Sequence, residues 1–129
     1  MAVDKVRVLI ADDSEALVQR LVTTLAKLDG IEIVGHAETV AEAAEGVRNL
    51  RPDVVILDIR MPGGSGIDVL DGMKRDRVTP TVIVLTNYDY PQYRKKCLQS
   101  GASFFFDKSA EFEKVAQVLR GLISDSSKY

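Results

Sequence analysis

Over 129 residues, short apolar runs alternate five times with longer amphipathic ones. That alternation predicts an α/β protein with a doubly wound, five-stranded parallel sheet and helices on both faces. Two more observations support it. The run Asp53-Val54-Val55-Ile56-Leu57 is nearly all apolar, as a strand buried on both sides of a parallel sheet must be. Hydrophobic residues make up 46% of the chain and charged ones 28%, with a net charge of −2, so the chain can fill a core and is not of the disordered class.

The elements follow in order. Val6 to Ile10 reads as the first strand. Leu17, Val18, Leu21, Val22, Leu25 and Leu28 recur at helical spacing, and Gly30 stands where a helix-ending glycine should. Ile31 to Val34 is the second strand. Thr39 with Glu42 forms a capping box that opens an alanine-rich helix fading near Asn49. The third strand is 53–57. A loop from Met61 to Gly66 leads into a helix from about Ser65 to Arg75. Thr81 to Leu85 is the fourth strand. Asp89 with Gln92 suits the cap of a fourth helix, with Pro91 in its first turn, and Gly101 ends it. Ser103 to Phe106 is the fifth strand. Phe112, Val115, Ala116, Leu119, Leu122 and Ile123 trace the inner face of a last helix. Right-handed crossovers and five strands give the order 2-1-3-4-5. We expect one domain over 1–129, with a core at about 5–123 and a frayed tail at 124–129.

Composition narrows the function. The near-neutral charge disfavours direct nucleic-acid binding. Cys97 is the only cysteine, which rules out an internal disulfide and suits a reducing cytoplasm. No apolar run approaches the roughly 18 residues of a membrane span. The opening residues lack the basic-then-apolar pattern of a signal peptide.

In an open parallel sheet, ligands sit beyond the carboxyl ends of the strands, near the switch in strand order. Asp12 and Asp13 follow the first strand, Asp58 the third; Thr86 ends the fourth; Lys108 follows the fifth. The winding brings all five to one edge. Clustered carboxylates repel one another, and a divalent cation relieves that repulsion. Oxygen-only ligands favour a hard ion such as Mg²⁺. A pure Mg²⁺ site needs neither Lys108 nor Thr86, whereas a phosphoryl site uses both to neutralise and hydrogen-bond the transferring oxygens. Asp58 ends the central strand and is the best acceptor; Asp12 and Asp13 then hold the metal, with a backbone carbonyl near Arg60. Each signal alone is bland, since an Asp-Asp after a strand is most often a turn or a cap. Their coincidence at four strand ends is not a packing requirement.

With Val8-Leu9-Ile10-Ala11-Asp12-Asp13-Ser14, Pro52 to Gly63, Thr81 to Thr86 and Gly101 to Lys108 in view, the chain resembles a response-regulator receiver domain. This is the chemotaxis-regulator-like phosphoacceptor of two-component signalling, and its sheet is flavodoxin-like. The resemblance covers about residues 5 to 123. It implies that Asp58 is phosphorylated by a sensor histidine kinase or phosphotransfer protein. It also implies Mg²⁺, with Mn²⁺ as a substitute, on Asp12, Asp13 and the Arg60 carbonyl. Thr86 and Phe105 would move together on phosphorylation and alter the face built from the fourth helix, fifth strand and fifth helix. That face would carry a downstream protein partner or a phosphorylation-dependent dimer, with Tyr90, Tyr93 and Phe104 contributing. Val34-Gly35-His36-Ala37-Glu38 and the 63–66 loop look closest to receivers that precede a helix-turn-helix domain, so a longer natural chain would carry a C-terminal DNA-binding output domain.

Three departures from the family pattern matter. Ser109 follows Lys108 where many receivers have proline, so a trans bond is expected there. The switch aromatic Phe105 lacks a hydroxyl, so packing alone would hold it inward. Arg60 and Tyr88, each two residues past Asp58 and Thr86, are bulky and should overhang an acyl phosphate, slowing attack by water.

The remaining residues read more simply. In the triple aromatic, alternation places Phe104 and Phe106 on one face and Phe105 on the other. Arg94-Lys95-Lys96 is a solvated helix face. Cys97 is a small buried hydrophobe. His36, at the end of the second strand, has no recognisable ligand partner and takes no chemical role. Two other functions compete. A Mg²⁺-dependent aspartyl-phosphate hydrolase needs an aspartate two residues past its nucleophile, but Asp58 is followed by Arg60 and Asp12 by Ser14. A phosphate-independent interaction module would have lost one of the key residues, and none is lost. The expected chemistry is therefore self-phosphotransfer and slow autodephosphorylation, not turnover of a substrate.

Overall fold

The computed structural model describes residues 5–88 and 90–126. Five parallel strands, β1 (Val6–Ala11), β2 (Ile31–Ala37), β3 (Val54–Leu57), β4 (Thr81–Thr86) and β5 (Phe104–Asp107), form one sheet in the order 2-1-3-4-5. Between them run α1 (Glu15–Leu25), α2 (Val40–Leu50), α3 (Gly66–Arg75) and α4 (Pro91–Gln99), and α5 (Phe112–Ser126) follows β5.

Strand alternation sends side chains to two separate cores. On one face Leu9, Val55, Leu57, Val82, Val84 and Phe105 pack against α2, α3 and α4. On the other, Val8, Ile10, Val54, Ile56, Ile83 and Leu85 pack against α1 and α5. All four residues of β3 are buried, which explains its unbroken apolar run. Each large side chain so buried contributes roughly 1.5–3 kcal/mol of transfer free energy.

Several boundaries differ from the sequence reading. α1 stops at Leu25 rather than continuing toward Gly30, and Leu28 packs against the core from a turn. β2 runs three residues past Val34, beyond a bulge. α5 extends to Ser126, into the segment expected to fray from residue 124, and residues 127–129 lie outside the described set. The proposed cap Asp89 also lies outside it. The N-cap position of α4 belongs to Tyr90, whose side chain makes no capping bond. The Ser65 hydroxyl accepts from the Ile67 N–H, while the Asp68 carboxylate accepts from the Ser65 N–H, a capping box the sequence reading passed over as loop.

Candidate phosphoacceptor site

The strand ends do converge. β1 delivers Asp12 and Asp13, β3 delivers Asp58, β4 ends in Thr86, and Lys108 follows β5. Asp12, Asp58 and Thr86 are buried, and Asp13 is exposed. A carboxylate oxygen from each of Asp12, Asp13 and Asp58 lies within 4.8 Å of the others, close enough to hold one metal ion. Lys108 Nζ bridges the two buried carboxylates, 2.8 Å from Asp12 Oδ2 and 2.9 Å from Asp58 Oδ2.

Backbone bonds hold this cluster in place. The Asp58 N–H donates to the Ala11 carbonyl at 3.0 Å, and the Asp12 N–H to the Ala37 carbonyl at 2.9 Å. The Lys108 N–H donates to the Thr86 carbonyl at 2.9 Å, locking the lysine to the end of β4. Past Asp58, Arg60–Met61 and Gly64–Ser65 form a two-residue antiparallel ladder. It returns the chain so closely that Gly66 N lies 2.6 Å from the Ile59 carbonyl. A Cβ on Gly66 would meet the Asp58 carbonyl oxygen at 2.2 Å, so only glycine fits behind Asp58.

Electrostatics follow burial. Desolvation raises the Asp12 pKa above the ordinary carboxylate value, against the lowering effect of its hydrogen bonds from Lys108 and Ser14. Burial works against the Lys108 ammonium, but its bonds to Asp12 and Asp58 outweigh that and hold its pKa above the ordinary lysine value. Asp58 Oδ2 is occupied by Lys108, while Asp58 Oδ1 is buried with no hydrogen-bond partner, the sole such side-chain atom among the described residues. A buried carboxylate oxygen without a hydrogen-bond donor, beside two more carboxylates, leaves negative charge that a cation would offset. The hard-oxygen donor set fits a small divalent cation.

The other expected residues fall around this centre. Thr86 Oγ1 accepts from the Tyr88 N–H at 3.2 Å. The Arg60 guanidinium stacks over the Tyr88 ring, 4.6 Å from its centroid, so the two bulky residues meet as one unit. A cleft lined by Asp13, Arg60, Met61, Pro62 and Gly64 adjoins the carboxylates. Phe105 is 2% exposed and points into the α2–α3–α4 core, while Phe104 and Phe106 stack on each other with centroids 5.9 Å apart. Packing is not Phe105's sole restraint, which corrects the sequence reading. Arg94 of α4 lies over its ring at 5.6 Å and donates to its carbonyl at 3.3 Å. Tyr90 and Phe104 are exposed on the α4–β5 face, but Tyr93 packs partly into the core. Among the described residues no peptide bond is cis, so Lys108–Ser109 is trans as expected. One contact the sequence did not suggest is that His36 Nε2 lies 2.9 Å from the Asp12 carbonyl oxygen.

These geometric features coincide with family likeness. The model of the response regulator receiver domain matches residues 8–120. Response regulator GacA of Pseudomonas viridiflava is 30% identical over 115 residues, 89% of this chain and 54% of that protein. Transcriptional regulatory protein DesR of Bacillus subtilis is 28% identical over 124 residues, 96% of this chain and 61% of its own length. The chain thus spans little more than half the length of these curated relatives. Among solved structures, the CheX–CheY complex with BeF3 and Mg from Borrelia burgdorferi has a chain 33% identical, with a TM-score of 0.80, covering 90% of this chain and 87% of that one. Among the described residues, no helix is long and apolar enough to cross a membrane. Fold, acidic pocket and family match agree: the chain belongs to the response regulator receiver domains of two-component signalling.

Proposed function

We propose that Asp58 is the phosphoacceptor and that its Oδ1 is the nucleophile. The observation that carries this is the asymmetry of the carboxylate: Oδ2 is held by Lys108, while Oδ1 is buried and unpartnered. Oδ1 attacks the phosphorus of a phosphohistidine on a sensor kinase or phosphotransfer protein. The new P–O bond forms as the P–N bond breaks, and the leaving imidazole takes a proton. Asp12, Asp13 and the Arg60 carbonyl hold Mg²⁺, which when bound supplies neutralisation of the phosphoryl oxygens; Mn²⁺ substitutes. Lys108 stays at the site and pairs with a phosphoryl oxygen, and Thr86 turns its hydroxyl from the Tyr88 amide toward another. The space Thr86 leaves lets Phe105 repack, changing the face of α4, β5 and α5 that a downstream partner or a second copy reads. The stacked Arg60 and Tyr88 side chains shield the acyl phosphate from water.

On this reading the chain is one receiver unit centred on residues 5–123, acts in the cytoplasm, and performs only self-phosphotransfer and slow self-dephosphorylation. In a longer natural protein its output would pass to a DNA-binding domain, as the regulatory relatives suggest. The neighbour bound to Mg and BeF3 supports the metal assignment.

The test is intact mass after incubation with acetyl phosphate, with and without Mg²⁺, for wild type and Asp58→Asn. A Mg²⁺-dependent gain of one phosphoryl group, absent from the variant, is expected. A folded wild type that gains nothing, or a variant that gains equally, overturns the assignment.

A further inference from the structure

The geometry points to His36 as a positioning residue for the metal-binding edge: its ring holds the Asp12 carbonyl and thereby orients the Asp12–Asp13 peptide. This rests on the reading of Asp12 and Asp13 as Mg²⁺ ligands.

A β-bulge brings His36 to this place. Val8 pairs with Ile33 and Leu9 with Gly35, so Val34 is an extra residue in β2. Before the bulge, Ile31 and Ile33 face the α1–α5 core. Strict alternation would carry residues 35 and 37 to that same face. Instead Ala37 sits in the opposite core. A Cβ on Gly35 would meet Leu50 Cδ1 at 2.8 Å and Leu9 Cδ1 at 3.3 Å, both on that opposite side. The bulge therefore reverses the alternation and puts His36 beside Ile10, on the α1–α5 side, below the end of β1. Without it the histidine would face the other way.

From there Nε2 reaches the Asp12 carbonyl oxygen at 2.9 Å. A carbonyl can only accept, so Nε2 carries the hydrogen. This completes the restraint on Asp12. Its N–H donates to Ala37, its Oδ1 accepts from the Ser14 N–H at 2.8 Å, and its Oδ2 accepts from Lys108. The peptide joining Asp12 to Asp13 is planar, so fixing the carbonyl fixes the plane from which exposed Asp13 projects. His36 is itself exposed, which limits its part in folding. Supporting residues of this kind orient first ligands without touching the metal.

The experiment titrates Mg²⁺ into the ¹⁵N-labelled protein and follows amide shifts of Asp13 and its neighbours, for wild type, His36→Ala and His36→Gln. Thermal melts without metal accompany each titration. We expect the Kd for Mg²⁺ to rise about three- to tenfold in His36→Ala, the worth of one modest hydrogen bond. The Gln variant, which keeps an N–H donor, should recover most of the affinity, with melting temperatures little changed. Acetyl phosphate labelling should slow by the same factor at limiting Mg²⁺ and recover at saturating Mg²⁺. Equal Kd values for wild type and His36→Ala overturn the inference and leave the Mg²⁺ reading standing. Equal losses in the Ala and Gln variants also overturn it, because they assign the effect to ring packing. A wild type that binds no Mg²⁺ overturns the Mg²⁺ reading itself, and the inference with it.

Discussion

Helices α3 and α4 occupy equivalent places, each leaving the sheet just past a strand that ends in the site, yet they are held very differently. α3 opens with the reciprocal Ser65–Asp68 capping box and buries Gly66, Val69, Leu70 and Met73. α4 opens at Tyr90 with no side-chain cap, buries only Cys97, and leaves Leu98 44% exposed. The helix behind Asp58 is thus anchored at its first turn and along its length. The helix behind Thr86 is restrained mainly by Tyr93, Cys97 and the Arg94 strap to β5. Segments with few buried apolar contacts open at low free energy. A phosphoryl group shifts a conformational equilibrium by no more than its differential interaction with the two states, so a loosely held helix is the easier one to move. On the proposed reading, the fold would keep the chemistry beside the better-anchored helix and the readout beside the looser one.

The strongest way to break this contrast is to disturb the anchored side. Gly66→Ala drives a methyl group into the Asp58 carbonyl, so β3 or α3 must shift. Urea denaturation should show a loss of about 3 kcal/mol, together with loss of labelling by acetyl phosphate. Labelling at the wild-type rate would show that the acceptor does not depend on this close approach.

Lys108→Met is next. It strands Asp12 and Asp58 without their shared cation, and the metal-free protein should lose about 3 kcal/mol, the low end for a broken buried pair because the site opens toward solvent at Asp13. The sign with pH is fixed by the raised Lys108 pKa. Its stabilisation is fully present below the ordinary lysine value of about 10.4 and disappears as pH climbs through the higher folded value. Alkaline stability curves should therefore fall more steeply for wild type than for Lys108→Met.

A gentler change sharpens the contrast from the other side. Tyr90→Asp would give α4 the cap it lacks, worth about 1 kcal/mol locally. Hydrogen exchange of the α4 amides should slow by roughly fivefold, since 1.4 kcal/mol is tenfold, while α3 is unaffected. Unchanged exchange would mean that capping does not limit α4. The smallest expected effect is that of Arg94→Met. Removing the guanidinium over Phe105 should cost roughly 0.5–1 kcal/mol, visible as faster exchange in α4 and β5 with global stability almost unchanged.

Much of this was legible in the sequence, for identifiable reasons. The sheet order followed from five apolar runs, and the site followed from polar residues at the ends of those runs, where packing does not ask for them. The Phe104–Phe106 alternation needed only the period of a strand. What stayed hidden depends on irregularity. The bulge at Val34 reverses which side β2 residues face, so His36 could not be placed beside Asp12 by counting. The Ser65–Asp68 cap was masked because Pro62, Gly63 and Gly64 read as loop up to the helix start. The Arg94 strap joins residues 11 apart on different elements, which periodicity within either element does not reveal.

The single cysteine gives the molecule a built-in gauge. Cys97 is fully buried on the inner face of α4, and burial pushes its thiol pKa up to about 11. Because the thiolate is the reactive form, a maleimide or disulfide reagent at neutral pH reaches this sulfur only through excursions that expose it. The alkylation half-life of the unmodified chain therefore counts how often α4 lifts from the sheet, with no label introduced and no competing thiol to subtract. Comparing that half-life before and after acetyl phosphate would time the element that the proposed switch moves.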